Sequence, residues 1–315
     1  MIGASAAFRL VECLIEKMAV YDAPVLIEGE TGTGKELAAR AIHYGGERRD
    51  RPFVPVNCGA LPDSLIESEL FGHRRGAFTD ARHDQPGLVS LAHFGTLFLD
   101  EVDALTPKAQ VTLLRFLQDQ QYRPLGGRRE ERVNVRVIAA SNRPLDELVG
   151  SGGFRIDLLY RLKLMHLQLP PLRERTGDIA LLARHFVEIG SARFRCAVRP
   201  LADETLDWFD RYTWPGNIRE LEHVVYHGLL LGEGPAIVIA PPATLHERPR
   251  VGACDESYRR AKEQAIAEFE RSYLARVIDQ AHGNITAAAR LAGAERRHLG
   301  RLLKKHRLVK PARQT

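Results

Sequence analysis

The run Val25-Leu26-Ile27-Glu28-Gly29-Glu30-Thr31-Gly32-Thr33-Gly34-Lys35-Glu36 constrains this chain more than any other stretch: an apolar segment stops at a glycine-rich loop and opens into a helical pattern. It predicts strand, phosphate loop and helix in succession. Gly29, Gly32 and Gly34 let the backbone turn tightly and aim its N–H groups inward, while Lys35 sits where a helix N-terminus adds positive potential. Glu30, Thr31 and Thr33 complete a loop built to hold phosphates. Position 36 is Glu, where a generic phosphate loop has Ser or Thr for Mg²⁺, so a metal there relies on other ligands, water and the phosphates.

The chain around this loop alternates strand and helix patterns, which predicts a parallel, doubly wound α/β sheet. Residues 5–20 carry Ala7, Leu10, Val11, Leu14, Ile15 and Met18 at helical spacing, and Phe53-Val54-Pro55-Val56-Asn57 is a short strand ending on a polar residue. Ligands in such sheets lie at the carboxyl ends of the strands, which makes Asn57 a site candidate. Gly95-Thr96-Leu97-Phe98-Leu99-Asp100-Glu101 delivers two carboxylates to the same edge and has the form of a Walker B segment. Asp100 is placed to hold Mg²⁺ and Glu101 to polarise an attacking water; as surface residues they would simply cap the next helix. Residues 120–132 read as a polar loop, and Val133 to Ala140 as a strand that brings Asn142 to the edge, able to sense a γ-phosphate. Arg155 and Arg161 lie six residues apart on a short helical piece, as surface ion-pair partners or as arginine fingers reaching a neighbouring subunit's phosphates. After Pro170-Pro171 three helical segments follow, the last introduced by Trp214-Pro215-Gly216-Asn217 with Asn217 as an N-cap candidate and Arg219 on its first turn, in reach of a nucleotide.

Composition bears on the partners. At 315 residues and 44% apolar the chain can bury substantial cores, and no apolar run approaches the roughly 20 residues needed to cross a bilayer. A cytoplasmic protein that does not enter a membrane is expected. Four widely spaced cysteines read as buried thiols. The net charge of +5 hides an asymmetry, because residues 257–315 hold 14 Lys and Arg against 5 Asp and Glu. That basic tail carries a long helical pattern over 257–281, a second helix over 285–291 and a third over 295–306. The third bears Arg296, Arg297, His298, Arg301, Lys304 and Lys305 opposite Leu299, Leu302 and Leu303. The pattern is that of a helix-turn-helix with a basic recognition helix, or of an ordinary small bundle.

Together these residues resemble a known family. Gly29 to Glu36, Asn57-Cys58, Glu69-Leu70-Phe71-Gly72-His73, Gly76-Ala77-Phe78-Thr79-Asp80-Ala81, the Walker B segment and Trp214 to Leu221 resemble the AAA+ domain of bacterial enhancer-binding proteins, the activators of sigma-54 RNA polymerase; residues 283–308 look like the DNA-binding domain of Fis. The resemblance implies an AAA+ P-loop sheet with a helical lid, plus an all-α Fis-type helix-turn-helix domain. It places the sheet subdomain at 1–172, the lid at 173–240, a linker at 241–256 and the DNA-binding domain at 257–315. It implies ATP and Mg²⁺ as cofactors and ATP hydrolysis as the activity. Lys35 then binds phosphate, Asp100 and Glu101 serve Mg²⁺ and hydrolysis, and Asn57 is the switch that holds Glu101. Asn142 is the first sensor, Arg219 the second, and Arg155 with Arg161 the fingers of a ring, typically a hexamer, that remodels sigma-54 polymerase on upstream DNA. Arg296 falls on a DNA-contacting position.

Three departures modify the expectation. The family's partner loop reads Gly-Ala-Phe-Thr-Gly-Ala, and here its fifth position is Asp80, a side chain and a negative charge where Gly takes φ > 0 at little cost. A second reading follows from it: a DNA-binding regulator that does not act on sigma-54, with nucleotide setting only its oligomeric state. Gly300 stands where the Fis pattern has another DNA-contacting arginine. The chain also begins at the AAA+ domain, which implies either a regulatory protein acting in trans or a chain cut from a longer one.

Overall fold

The computed structural model describes residues 1–60, 63–78, 81–242, 284–294 and 296–305, together with Glu270, Leu274, Val277, Ile278 and Ala281. It divides into two units, Met1–Arg248 and Pro249–Thr315.

The first unit opens with α1 (Ala6–Val20), whose apolar stripe of Phe8, Val11, Ile15 and Met18 is buried. β1 (Val25–Glu28) runs into the glycine loop and α2 (Lys35–Tyr44), then β2 (Phe53–Asn57). Between β2 and the Walker B strand the chain forms α3 (Asp63–Phe71), the two-residue strands β3 (Gly72–His73) and β4 (Gln85–Pro86), and α4 (Leu88–Leu91). β5 (Thr96–Asp100) is followed by α5 (Pro107–Asp119), capped by the Thr106 hydroxyl with Pro107 at the first helical position. Next come β6 (Gln121–Tyr122), β7 (Glu131–Arg132), β8 (Arg136–Ser141), α6 (Leu145–Gly150), α7 (Ile156–Leu162) and β9 (Met165–Gln168). Five strands make one parallel sheet in the order β2-β5-β8-β1-β9, as the alternating pattern predicts. All four residues of β1 and all six of β8 are buried, which is why they read as unbroken apolar runs.

The stretch read as a loop over 120–132 is instead an antiparallel hairpin, Gln121 paired with Arg132 and Tyr122 with Glu131. Two-residue strands are too short to show alternation. What holds them is tertiary: the Tyr122 hydroxyl donates to Glu131 Oε2 at 2.7 Å and its ring stacks on Phe71. Of the cysteines, Cys58 is buried, but Cys13 is exposed because it lies off the apolar stripe of α1; Cys254 lies outside the described residues.

The lid consists of α8 (Asp178–Phe194), α9 (Asp203–Arg211) and α10 (Asn217–Leu231). Its core centres on Trp214, fully buried among Trp208, Phe209 and Tyr212. Fully buried Asp178 ties the lid to the start of the chain: its carboxylate accepts from Ala4 N at 2.6 Å, Ser5 N, Ser5 Oγ and Arg175 Nε, the last three at 2.9 Å. Burial alone would raise the Asp178 pKa, but these donors outweigh it and hold the carboxyl below its ordinary value of 3.8. Its stabilising contribution is therefore complete above that value and is lost as the pH falls through the depressed one. Asp178→Asn leaves the buried Arg175 without its counter-charge and is expected to cost about 3–5 kcal/mol in urea unfolding at neutral pH. The penalty should shrink in acid, where the wild-type carboxyl is also protonated.

In the second unit, α11 (Ile285–Leu291) is capped by the Asn284 side chain, which accepts from Thr286 N and Ala287 N. Gly293, at φ 58°, turns the chain into α12 (Arg296–Lys305). Leu274, Val277, Ala288, Ala289, Leu299 and Leu303 form the core. Most of the long helix expected over 257–281 lies outside the described residues.

Candidate nucleotide site

Three segments from different strands meet at the carboxyl edge of the sheet. The glycine loop leaves β1, Asp100 ends β5 with Glu101 directly after it, and Asn142 follows β8; all line one cleft with Arg219 of the lid. Asn142 joins the other two. Its Oδ1 accepts from Lys35 Nζ at 2.7 Å and from Thr31 Oγ1 at 3.3 Å, while its Nδ2 donates to Glu101 Oε1 at 3.3 Å. One carboxamide thus spans the phosphate loop and the Walker B acid.

Burial pushes the Lys35 ammonium down from its ordinary pKa, against the pull of Asp100, Asp103 and Glu101, and the ammonium also donates to the carbonyls of Gly29 and Glu30. Burial pushes the Asp100 carboxyl up and outweighs the Glu101 N–H bond and the Lys35 charge, which pull it down. Such a cleft suits Mg-nucleotide: a phosphate would reward the buried cation, and a divalent ion would reward carboxylates crowded together in low dielectric. The crowding also reaches Cys58, whose thiol burial and the three acids push up to about 12, so it is inert at neutral pH. Among the described residues no group of three or more His, Cys, Asp or Glu forms a metal cage of its own. Mg²⁺ held by one or two carboxylates plus phosphates fits this donor set.

Backbone geometry supports the same use. Glu101, the residue after β5, is left-handed at φ 56° and ψ 44°, a conformation that a non-glycine side chain seldom adopts and that concentrates at functional sites. At Gly32, φ 80°, an added Cβ would lie 2.3 Å from the Gly216 carbonyl oxygen. Gly32→Ala is therefore expected to cost about 1–2 kcal/mol in backbone strain alone. It should also force the lid away from the loop, seen as weaker nucleotide binding together with a lower urea midpoint.

Residues 1–168 match the model of the Sigma-54 interaction domain, 173–248 the AAA+ ATPase lid domain, and 265–306 the bacterial regulatory protein, Fis family. The chain belongs to the sigma-54-dependent enhancer-binding proteins. It is 42% identical over 288 residues to the regulatory protein AtoC of Escherichia coli, covering 90% of this chain and 62% of AtoC. To the hydrogenase transcriptional regulatory protein HoxA of Bradyrhizobium diazoefficiens it is 42% identical over 302 residues, covering 94% of this chain and 62% of HoxA. It thus spans less than two thirds of either relative. The crystal structure of NtrX from Brucella abortus in complex with ATP superposes with a TM-score of 0.73 at 32% identity, over 97% of this chain and 69% of that one.

The remaining candidates of this enhancer-binding protein are spread over both units. Asn57 is in register with Asp100, but its Oδ1 accepts from Gly59 N and Ala60 N; the hydrogen bond to Glu101 comes from Asn142. The turn that Asn57 caps nevertheless supports Glu101, because an added Cβ at Gly59 would lie 2.4 Å from Glu101 Oε2. Glu30 and Glu36 turn their carboxylates elsewhere, Glu30 to Arg173 and Asn217 and Glu36 to Arg40. Asn217 is the first residue of α10 rather than its cap: at φ 51° its carboxamide donates to Glu30 and to the Thr31 carbonyl and accepts from Leu172 N. Arg155 and Arg161 do not line the cleft of their own chain. Arg155 forms a two-pronged pair with Asp157, and Arg161 has no polar partner among the described residues.

In the partner loop, Gly76 N donates to Ala81 O, Ala81 N to Phe78 O, and the Phe78 ring packs on His73. Thr79 and Asp80 lie outside the described residues. In α12, Arg296, Arg297, His298 and Arg301 are exposed and Lys305 pairs with Glu270, while the side chain of Lys304 lies outside the description. Sequence reasoning missed Asp103, which accepts from Asn142 N at 3.2 Å, and Arg173, the lid's grip on the phosphate loop. An acid three residues beyond Asp100 was the one available signal for Asp103.

Proposed function

We propose that this chain is an ATP-hydrolysing transcriptional activator that binds upstream DNA, assembles into a ring and remodels sigma-54 RNA polymerase so that the promoter opens. The observation that carries the reading is the Asn142 carboxamide, which joins Lys35 and Thr31 to Glu101. A change at the γ-phosphate position is thereby felt at the residue that would polarise water. Lys35 and the loop N–H groups bind the triphosphate, Glu101 orients and deprotonates the attacking water, and Asp100 holds Mg²⁺. The metal, when bound, neutralises charge that develops on the phosphate oxygens. Arg173 and Asn217 couple the loop to the lid, so nucleotide state sets lid position.

Arg155 and Arg161 supply positive charge to a neighbour's cleft, which makes hydrolysis depend on self-association, with a hexamer as the expected ring. The basic face of α12 holds DNA through Arg296, Arg297, His298, Arg301, Lys304 and Lys305. ATPase rate per chain, measured across a range of protein concentrations, tests this: it should rise with concentration and vanish on chelation of Mg²⁺. A rate per chain that is constant over that range contradicts the shared site.

Asp80 favours a second reading, a DNA-bound regulator that hydrolyses or merely binds ATP to set its oligomeric state and makes no productive contact with sigma-54.

A further inference from the structure

A cavity of about 680 Å³ opens at the amino ends of β1 and β8, lined by the backbone before Val25 and by Arg136 at the start of β8. Since β1 spans roughly 13 Å at parallel-strand rise, this cavity stands apart from the cleft at the carboxyl ends. Arg48, Arg132, Arg136 and Arg161 line it, and Asp22 is the sole acid lining it among the described residues. Arg48 takes that acid, donating to Asp22 Oδ2 at 2.6 Å. Arg136, only 5% exposed, forms no ion pair among the described residues: its guanidinium donates to the carbonyls of Ala23 and Met18, with Asp22 as the nearby carboxylate. Arg132 and Arg161 have no side-chain partner among the described residues. Four arginines thus share a cavity with one carboxylate, and Arg132, Arg136 and Arg161 form no ion pair among the described residues, with Tyr160 also lining the wall.

Guanidinium forks match phosphate oxygens, and the one carboxylate of this cavity is already taken by Arg48. We infer that this cavity is a second ligand site, for a phosphorylated small molecule, built by Arg132, Arg136 and Arg161 with Tyr160 as an aromatic wall. Its volume lies in the range of small-molecule pockets. Where Arg161 serves as a finger, as the proposed function has it, the ligand competes for that arginine and slows hydrolysis in the neighbour.

Calorimetric titration of the full chain with inorganic pyrophosphate tests the site. The wild-type chain should bind two equivalents. Lys35→Ala should remove the one at the phosphate loop, and Arg132→Ala should weaken the other by about tenfold or more. A single equivalent that disappears in Lys35→Ala and is untouched by Arg132→Ala overturns the inference. A single equivalent weakened by Arg132→Ala and indifferent to Lys35→Ala sustains it and contradicts the nucleotide cleft instead. Salt dependence provides a second check, since a site built on three arginines should lose pyrophosphate as ionic strength rises.

Discussion

Glu101→Gln is expected to lower ATP turnover by about 10²–10⁴-fold while leaving ATP binding in place. In the proposed mechanism the Glu101 carboxylate accepts a proton from water, and Gln keeps its size while removing that capacity. Binding persists because Lys35, Gly29 to Gly34 and Arg219 are unchanged and the Gln oxygen still accepts from Asn142 Nδ2. Fluorescent-nucleotide titration alongside phosphate release separates the two effects. Equal loss of both would mean that Glu101 serves ATP binding or folding, not hydrolysis.

Arg161→Ala is expected to lower turnover by about 10³-fold or more, the range for arginines that stabilise phosphoryl-transfer charge. The effect has a signature that no single-chain defect shares. Arg161 lies outside its own chain's cleft, so a defective Arg161→Ala chain retains an intact Glu101, and a defective Glu101→Gln chain retains an intact Arg161 to offer as the proposed finger. Mixing the two inactive proteins should restore measurable hydrolysis where an Arg161→Ala cleft faces a Glu101→Gln neighbour. Arg155 should matter less until its pair with Asp157 is broken, because its guanidinium is already engaged.

The parts of this molecule that were legible in its sequence are those specified by local chemistry. Glycine spacing between Gly29 and Gly34, apolar runs ending in Asp100-Glu101 and in Ser141-Asn142, and helical stripes each report a structure made from neighbours in the chain. The parallel sheet follows from their order. What the sequence did not announce is made by distant residues. Glu30 meets Arg173 and Asn217 across more than 140 positions, and the cap expected of Asn217 gives way because its left-handed backbone sends the carboxamide to the phosphate loop. Asn57 differs for a comparable reason: the turn after β2 fixes its carboxamide through Oδ1, and the amide that reaches Glu101 is the Nδ2 of Asn142, more than 40 residues beyond Glu101 in the chain. The hairpin over 121–132 escaped because two-residue strands carry no period, and their stability rests on Phe71 and Glu131.

Hydrolysis in this cleft is proposed to do work on sigma-54 polymerase. The most direct measurement is open-complex formation by purified sigma-54 polymerase at a sigma-54 promoter with an upstream site, with the chain as it stands and with Asp80→Gly. ATP-dependent opening by both is the expected result, abolished by Glu101→Gln. ATP hydrolysis without opening by either protein would contradict it and leave DNA-bound regulation as the function.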